Sequence, residues 1–101
     1  MFDKAKKLYQ LQKKARQVQK DLRNTEVEAK STDGLVVVVL SADQKLKSIS
    51  IDESLLVPEK KSQLEEKIIR VVSEGLSRAQ AVAAEKTKGL MSEMGMNIPG
   101  I

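Results

Sequence analysis

The run Leu35-Val36-Val37-Val38-Val39-Leu40 constrains this chain more than any other segment. Four consecutive β-branched side chains favour a strand. Six apolar residues are far too few to cross a bilayer. The run does not alternate, so it reads as a central strand that wants cover on both faces. Its flanks supply the neighbours. Over Thr25–Ser31, Val27 and Ala29 point one way and Glu26, Glu28 and Lys30 the other, the pattern of a half-buried strand. Asp33-Gly34 is a hairpin signal between the two. Ser41 to Gln44 form a polar turn, and Leu46 to Ile51 give a third strand with Ile49 and Ile51 on one face. The expectation is a three-stranded antiparallel meander.

Helices must supply the cover. Phe2 and Tyr9 are the whole aromatic content, so the core is aliphatic and thin, a first reason to expect association. Residues 2 to about 23 contain no Gly or Pro and are rich in helix formers. Leu8, Leu11, Ala15, Val18 and Leu22 follow 3-4-3-4 spacing, a heptad seam suited to packing against one other helix. Lys6, Lys13 and Lys20 fall at f and Arg16 and Arg23 at b, opposite that seam, while Lys7 and Lys14 flank it at g. Asp52-Glu53-Ser54 ends the third strand, and Pro58 suits the first turn of a second helix running to about Leu90. Ile69, Val72, Leu76, Ala79 and Ala83 form one apolar stripe on it; Leu64, Ile68, Val71, Gly75 and Val82 form a second beside it. The fold class is α+β, with an α-β-β-β-α subunit. The first helix, about 33 Å long, exceeds the width of a three-stranded sheet and should project. A projecting apolar seam needs a partner, so a symmetric homodimer is expected.

Several kinds of chemistry find no residues here. The chain has no Cys and no His, which removes disulfides, thiolate metal sites, a Cys nucleophile and the commonest general base. There is no Walker loop and no GxGxxG, and glycines 34, 75, 89, 95 and 100 are too scattered to cradle a phosphate. Asp52-Glu53 and Glu65-Glu66 are paired carboxylates, read as a cap and as solvated charges. The expectation is a protein that is not an enzyme, with no catalytic residue, metal or cofactor.

Charge is distributed unevenly. Residues 1–23 hold Lys4, Lys6, Lys7, Lys13, Lys14, Arg16, Lys20 and Arg23 against Asp3 and Asp21, a net +6, while the remainder is −2. Ordinary surface helices mix signs, so this one points to a polyanion, because lysine and arginine release the counterions condensed on phosphates. Six lysines to two arginines favour gripping a backbone over reading bases. Two aromatics cannot build a single-strand stacking platform. A membrane-surface helix is a rival reading, opposed by the narrow apolar face and the absence of Trp. A coiled-coil-type protein–protein adaptor without DNA binding is another. No apolar segment follows Lys4, Lys6 and Lys7, so no signal peptide is expected, and cytoplasmic residence is.

Three segments resemble the YbaB/EbfC family of bacterial nucleoid-associated proteins: Gly34-Leu35-Val36, Ile51-Asp52-Glu53-Ser54-Leu55-Leu56, and Gly95-Met96-Asn97-Ile98-Pro99-Gly100. Met1-Phe2 ahead of a Lys/Gln-rich helix fits as well. The resemblance covers almost the whole chain in the same element order. It implies a homodimer with protruding, tweezer-like helices that binds double-stranded DNA with little sequence preference, in the nucleoid, with links to gene regulation. On that reading Lys4, Lys6, Lys7, Lys13, Lys14, Arg16, Lys20 and Arg23 are the DNA-binding residues, with Lys86 and Lys88 as weaker candidates. Residues 1–94 would form the single domain and 95–101 a flexible tail. The chain departs from the family pattern twice. Ser41-Ala42-Asp43-Gln44 stands where an Asn-Gly type turn is common, and Val37 to Val39 lack the usual polar face, which suggests a drier contact there, between subunits.

Overall fold

The computed structural model describes residues 2–93. In order, helix α1 is Phe2–Asn24, strand β1 Glu26–Lys30, strand β2 Val36–Ser41 and strand β3 Leu46–Ile51, followed by 3-10 turns at Glu53–Leu55 and Pro58–Lys60 and by helix α2, Lys61–Glu93. The α-β-β-β-α order and the meander are those expected. Pro58 opens a separate 3-10 turn rather than α2 itself, and α2 runs past Leu90 to Glu93. Residues 95–101, expected to be a tail, lie outside the described residues.

The valine run forms the middle strand, in sheet order β1-β2-β3 with both pairings antiparallel. Val27 pairs with Leu40 and Ala29 with Val38, while Val38 pairs with Ile49 and Val36 with Ile51. These residues share one face, since paired side chains point the same way. Val36, Val38, Leu40 and Ala29 are fully buried on it, beneath Leu55 and Val71. The opposite face carries Glu28, Lys30, Val37, Val39, Ser48 and Ser50, and both valines there are half-buried. The expected cover on both faces is therefore realised on one only: among the described residues α2 packs on one side of the sheet, and α1 goes elsewhere.

Both hairpins are closed by local chemistry. In the first, Gly34 takes φ +74°, and the Asp33 carboxylate accepts from the Leu35 N–H and the Ser31 hydroxyl. In the second, the Gln44 N–H donates to the Ser41 carbonyl and the Ser41 N–H to the Lys45 carbonyl. This is a type I turn followed by a residue in the left-handed region. That residue is Gln44, at φ 70°, where glycine or asparagine would avoid a cost of about 1 kcal/mol. The register then skips Lys47, with Val39 opposite Ser48 and Leu40 opposite Leu46, which makes a bulge in β3.

α2 lies along β2 and β1. Its contact row is Leu64, Ile68, Val71, Gly75, Ala79 and Val82. Gly75 is required by proximity: a Cβ there would collide with the Leu40 side chain and press on Val38. The two flanks of α2 differ. Toward β1, Lys67 bonds Asp33 at 2.5 Å, and Arg78 spans Glu74 at 2.6 Å and the Glu28 carbonyl at 2.8 Å. The other flank carries Ile69, Val72 and Leu76, and Ile69 is 66% exposed.

At 33 residues α2 is about 50 Å long, so its second half overruns the sheet and runs antiparallel beside α1. Lys14 pairs with Glu93 at 2.9 Å and Asp21 with Lys86 at 2.7 Å, both partners shifted by seven residues, two helical turns. Leu11, Ala15, Val18 and Leu22 are half-buried along this line. The heptad seam, suited to one other helix, thus lies largely against α2 of its own chain. Heptad spacing specifies a helix as partner, not which helix. Leu8, toward the free end, stays 59% exposed. The root of α1 is fixed by the Ala42 N–H, which donates to the carbonyls of Leu22 and Thr25 at 3.0 and 2.9 Å, and by the Thr25 hydroxyl on the Asp21 carbonyl. The result is elongated, 68 × 25 × 16 Å.

Candidate nucleic-acid interface

The expected basic face is built on α1 by simple helical geometry. Lys6, Lys13 and Lys20 are seven residues apart, so they recur on one side at intervals of about 10.5 Å. Arg16 and Arg23 form a second row beside them, and all five side chains are exposed. The rows point away from the seam because the seam is held against α2. Lys4 and Lys7 are exposed on the first turns. Lys14 differs: at position g it is drawn into the interhelical ion pair with Glu93 and is half-buried. Its charge contributes to the local field while its ammonium is already engaged. Among the described residues it is the one member of the eight that forms an ion pair.

Four of the ten cations beyond residue 23 are committed to ion pairs. Lys30 pairs with Glu28 at 3.2 Å, Lys67 with Asp33, Arg78 with Glu74 and Lys86 with Asp21. Lys86, a weaker candidate from the sequence, thus serves to hold α1, whereas Lys88 is exposed. The contrast is electrostatic in origin. Carboxylates punctuate the sheet and α2, but on α1 only Asp3 and Asp21 oppose eight cations. Field lines from the outer rows therefore run into solvent, where a polyanion can meet them.

The fold also brings in a residue that the sequence reading passed over. A groove at the root of α1 is lined by Gln19, Leu22, Arg23, Asp43 and Lys45. Lys45 belongs to the β2–β3 turn, and the Ala42 hydrogen bonds place that turn against the end of α1. The basic surface thus continues from Arg23 onto Lys45. Lys45 and Lys47 follow a turn signal in the sequence, but nothing there indicates that the turn abuts residue 23.

The acidic pair Asp52-Glu53 has a local task. The Asp52 carboxylate accepts from the Ser54 N–H and hydroxyl at the start of the 3-10 turn, and these hydrogen bonds lower its pKa. Asp33 is held well below the usual carboxylate range by the Lys67 ammonium, with Ser31 and the Leu35 N–H adding to it. Both groups stabilise turns. Among the described residues no cluster of three or more acidic side chains is placed to hold a metal ion, and no helix is long and apolar enough to cross a membrane.

Comparison with known proteins agrees with this arrangement. The chain is 37% identical over 91 residues to a nucleoid-associated protein of Bradyrhizobium sp. (strain ORS 278), covering 90% of this chain and 86% of that one. It is 34% identical over 96 residues to a nucleoid-associated protein of Nitrobacter hamburgensis, covering 95% and 90%. Among solved structures, an uncharacterized protein from Helicobacter pylori superposes with a TM-score of 0.69 at 25% identity, covering 86% of this chain and 87% of that one. The family model for YbaB/EbfC matches residues 1–94. With its α-β-β-β-α order and its basic first helix, the chain belongs to the YbaB/EbfC DNA-binding family.

Proposed function

We propose that this protein is a nucleoid-associated homodimer that binds double-stranded DNA through the phosphate backbone, with little sequence preference. The family and the names of its relatives support DNA and the nucleoid. The observation that carries the binding mode is the pair of exposed cation rows on α1, free of carboxylate partners among the described residues. Lys6, Lys13, Lys20, Arg16 and Arg23 make most of the phosphate contacts. Lys4 and Lys7 extend the rows, and Lys14 adds charge from the side. Three of these five groups, and all three that flank them, are lysines, compact charges without the bidentate fork that reads guanine. Coating and organising chromosomal DNA, with effects on gene expression through it, is the role that such a grip serves.

Counterion release gives the test. If about six phosphates are neutralised, the slope of log K against log salt lies near −5. Titration of an arbitrary duplex across a range of salt concentrations measures it. Affinity that stays flat over that range would rule out the backbone mechanism.

A further inference from the structure

The groove where the end of α1 meets the β2–β3 turn treats its charges by sign. Asp43 lies half-buried there, and its carboxylate accepts from the Ser41 hydroxyl. Asp21, in the last turns of α1, is drawn toward α2 by Lys86 at 2.7 Å. Arg23 and Lys45 are exposed, and among the described residues neither forms an ion pair. The carboxylates of this junction are thus partnered while its cations are not. Two cations facing one groove repel each other, and an anion between them offsets that repulsion.

The backbone fixes this juxtaposition. The Gln44 N–H donates to the Ser41 carbonyl at 2.8 Å and the Ser41 N–H to the Lys45 carbonyl at 2.9 Å, so Lys45 is held at the close of the turn. The Ala42 N–H then sets the turn against the Leu22 and Thr25 carbonyls. The same bonds answer an objection. A helix C-terminus carries partial negative charge, which opposes an anion. Here the Leu22 carbonyl accepts from both the Thr25 and the Ala42 N–H, and the Asp21 carbonyl accepts from the Thr25 hydroxyl. The end carbonyls nearest the groove are therefore already satisfied.

We propose that this groove is a phosphate-binding site, in which Arg23 and Lys45 together hold one phosphodiester of a DNA duplex. The Gln19 amide, which also lines it, is a neutral donor to the same group. The inference rests on the backbone-binding reading above and adds a contact from outside α1. A duplex phosphodiester is the fitting ligand because the groove ends a row of cations. Arg16 precedes Arg23 by seven residues on the same face, about 10.5 Å away. A polymer lying along that row reaches the groove, whereas a small anion would gain nothing from Arg16. DNA contacts then extend from the helix onto the end of the sheet.

Lys45→Gln and Arg23→Gln, made singly and together in the full chain, are titrated with duplex across salt beside Lys60→Gln. Lys60 is exposed beyond the opposite end of β3 and supplies the same charge change. Each single variant at the groove is expected to weaken binding about fivefold near physiological salt. The double variant should lose no more than about tenfold, short of the roughly 25-fold of independent contacts, because the two groups share one phosphate. Lys60→Gln should stay within about twofold of wild type, since distant exposed charges are screened. Unfolding midpoints should hold, because Lys45 closes the turn through its carbonyl and not its side chain. Unchanged affinity in Lys45→Gln, an equal loss in Lys60→Gln, or a fully multiplicative loss in the double variant overturns the shared site and leaves the backbone reading standing. Wild-type duplex affinity that is flat across salt overturns that reading itself.

Discussion

The two long helices are made of similar residues and are used in opposite ways. α2 gives its apolar row to the sheet, so that Val71, Gly75 and Ala79 are buried along its length, and it pairs Lys67, Arg78 and Lys86 with nearby carboxylates. α1 has no fully buried residue among those described, touches the rest of the chain mainly through α2, and keeps its cations for solvent. Stability is thus concentrated in one helix and the proposed binding chemistry in the other. A chain divided like this can change its charged surface at little cost to its fold, and the reverse does not hold.

The sharpest attempt to break this division is Leu40→Ala. Leu40 is fully buried under α2 beside Gly75, and truncation should cost about 3 kcal/mol, read by denaturant unfolding. DNA affinity of the remaining folded fraction should be unchanged. Charge reversal at Lys13, Arg16 and Lys20 probes the other side. Loss of three phosphate contacts should weaken duplex binding about a hundredfold near physiological salt and make the salt slope shallower by about 3. Unfolding free energy should move by no more than about 0.5 kcal/mol, because all three side chains are exposed. Equal losses of stability and affinity in either variant would contradict the division.

Helical periodicity alone placed the b and f cations outward, and strand alternation with Asp33-Gly34 placed the sheet to within a residue or two. Both rest on interactions between near neighbours in sequence. Contacts of long range were not legible. The 79-residue separation of Lys14 and Glu93 hides an ion pair that removes one candidate from the free set. The approach of Lys45 to Arg23 depends on two backbone hydrogen bonds from Ala42 that no composition rule predicts. The heptad seam was legible as a contact for one other helix, but spacing alone does not say which helix, and the overrun of α2 supplies one within the chain.

Two smaller changes refine the contrast from within the scaffold. Gln44→Gly relieves the left-handed backbone at φ 70° and should stabilise the protein by about 1 kcal/mol, visible as a higher unfolding midpoint with DNA binding intact. Asp33→Asn tests the hairpin's tie to α2. The folded-state pKa of Asp33 is lowered, so its contribution is full above the unfolded value of about 3.9 and is lost as pH falls through that value toward the folded one. Wild type and variant should therefore differ by a constant amount at neutral pH and converge in acid; a gap that widens on acidification would contradict the assignment.

The hydrogen bonds from Ala42 to the end of α1 have a mechanical consequence. They make the helix a beam clamped at its root, with Leu8 and Tyr9 toward the unsupported end. Any load that a bound polymer places on the outer turns is multiplied by the length of that beam before it reaches the clamp. The ion pairs Lys14–Glu93 and Asp21–Lys86 act as braces partway along it, and salt that screens them softens the beam as well as the grip. Ionic strength would then tune how far the arm bends along with how tightly it holds.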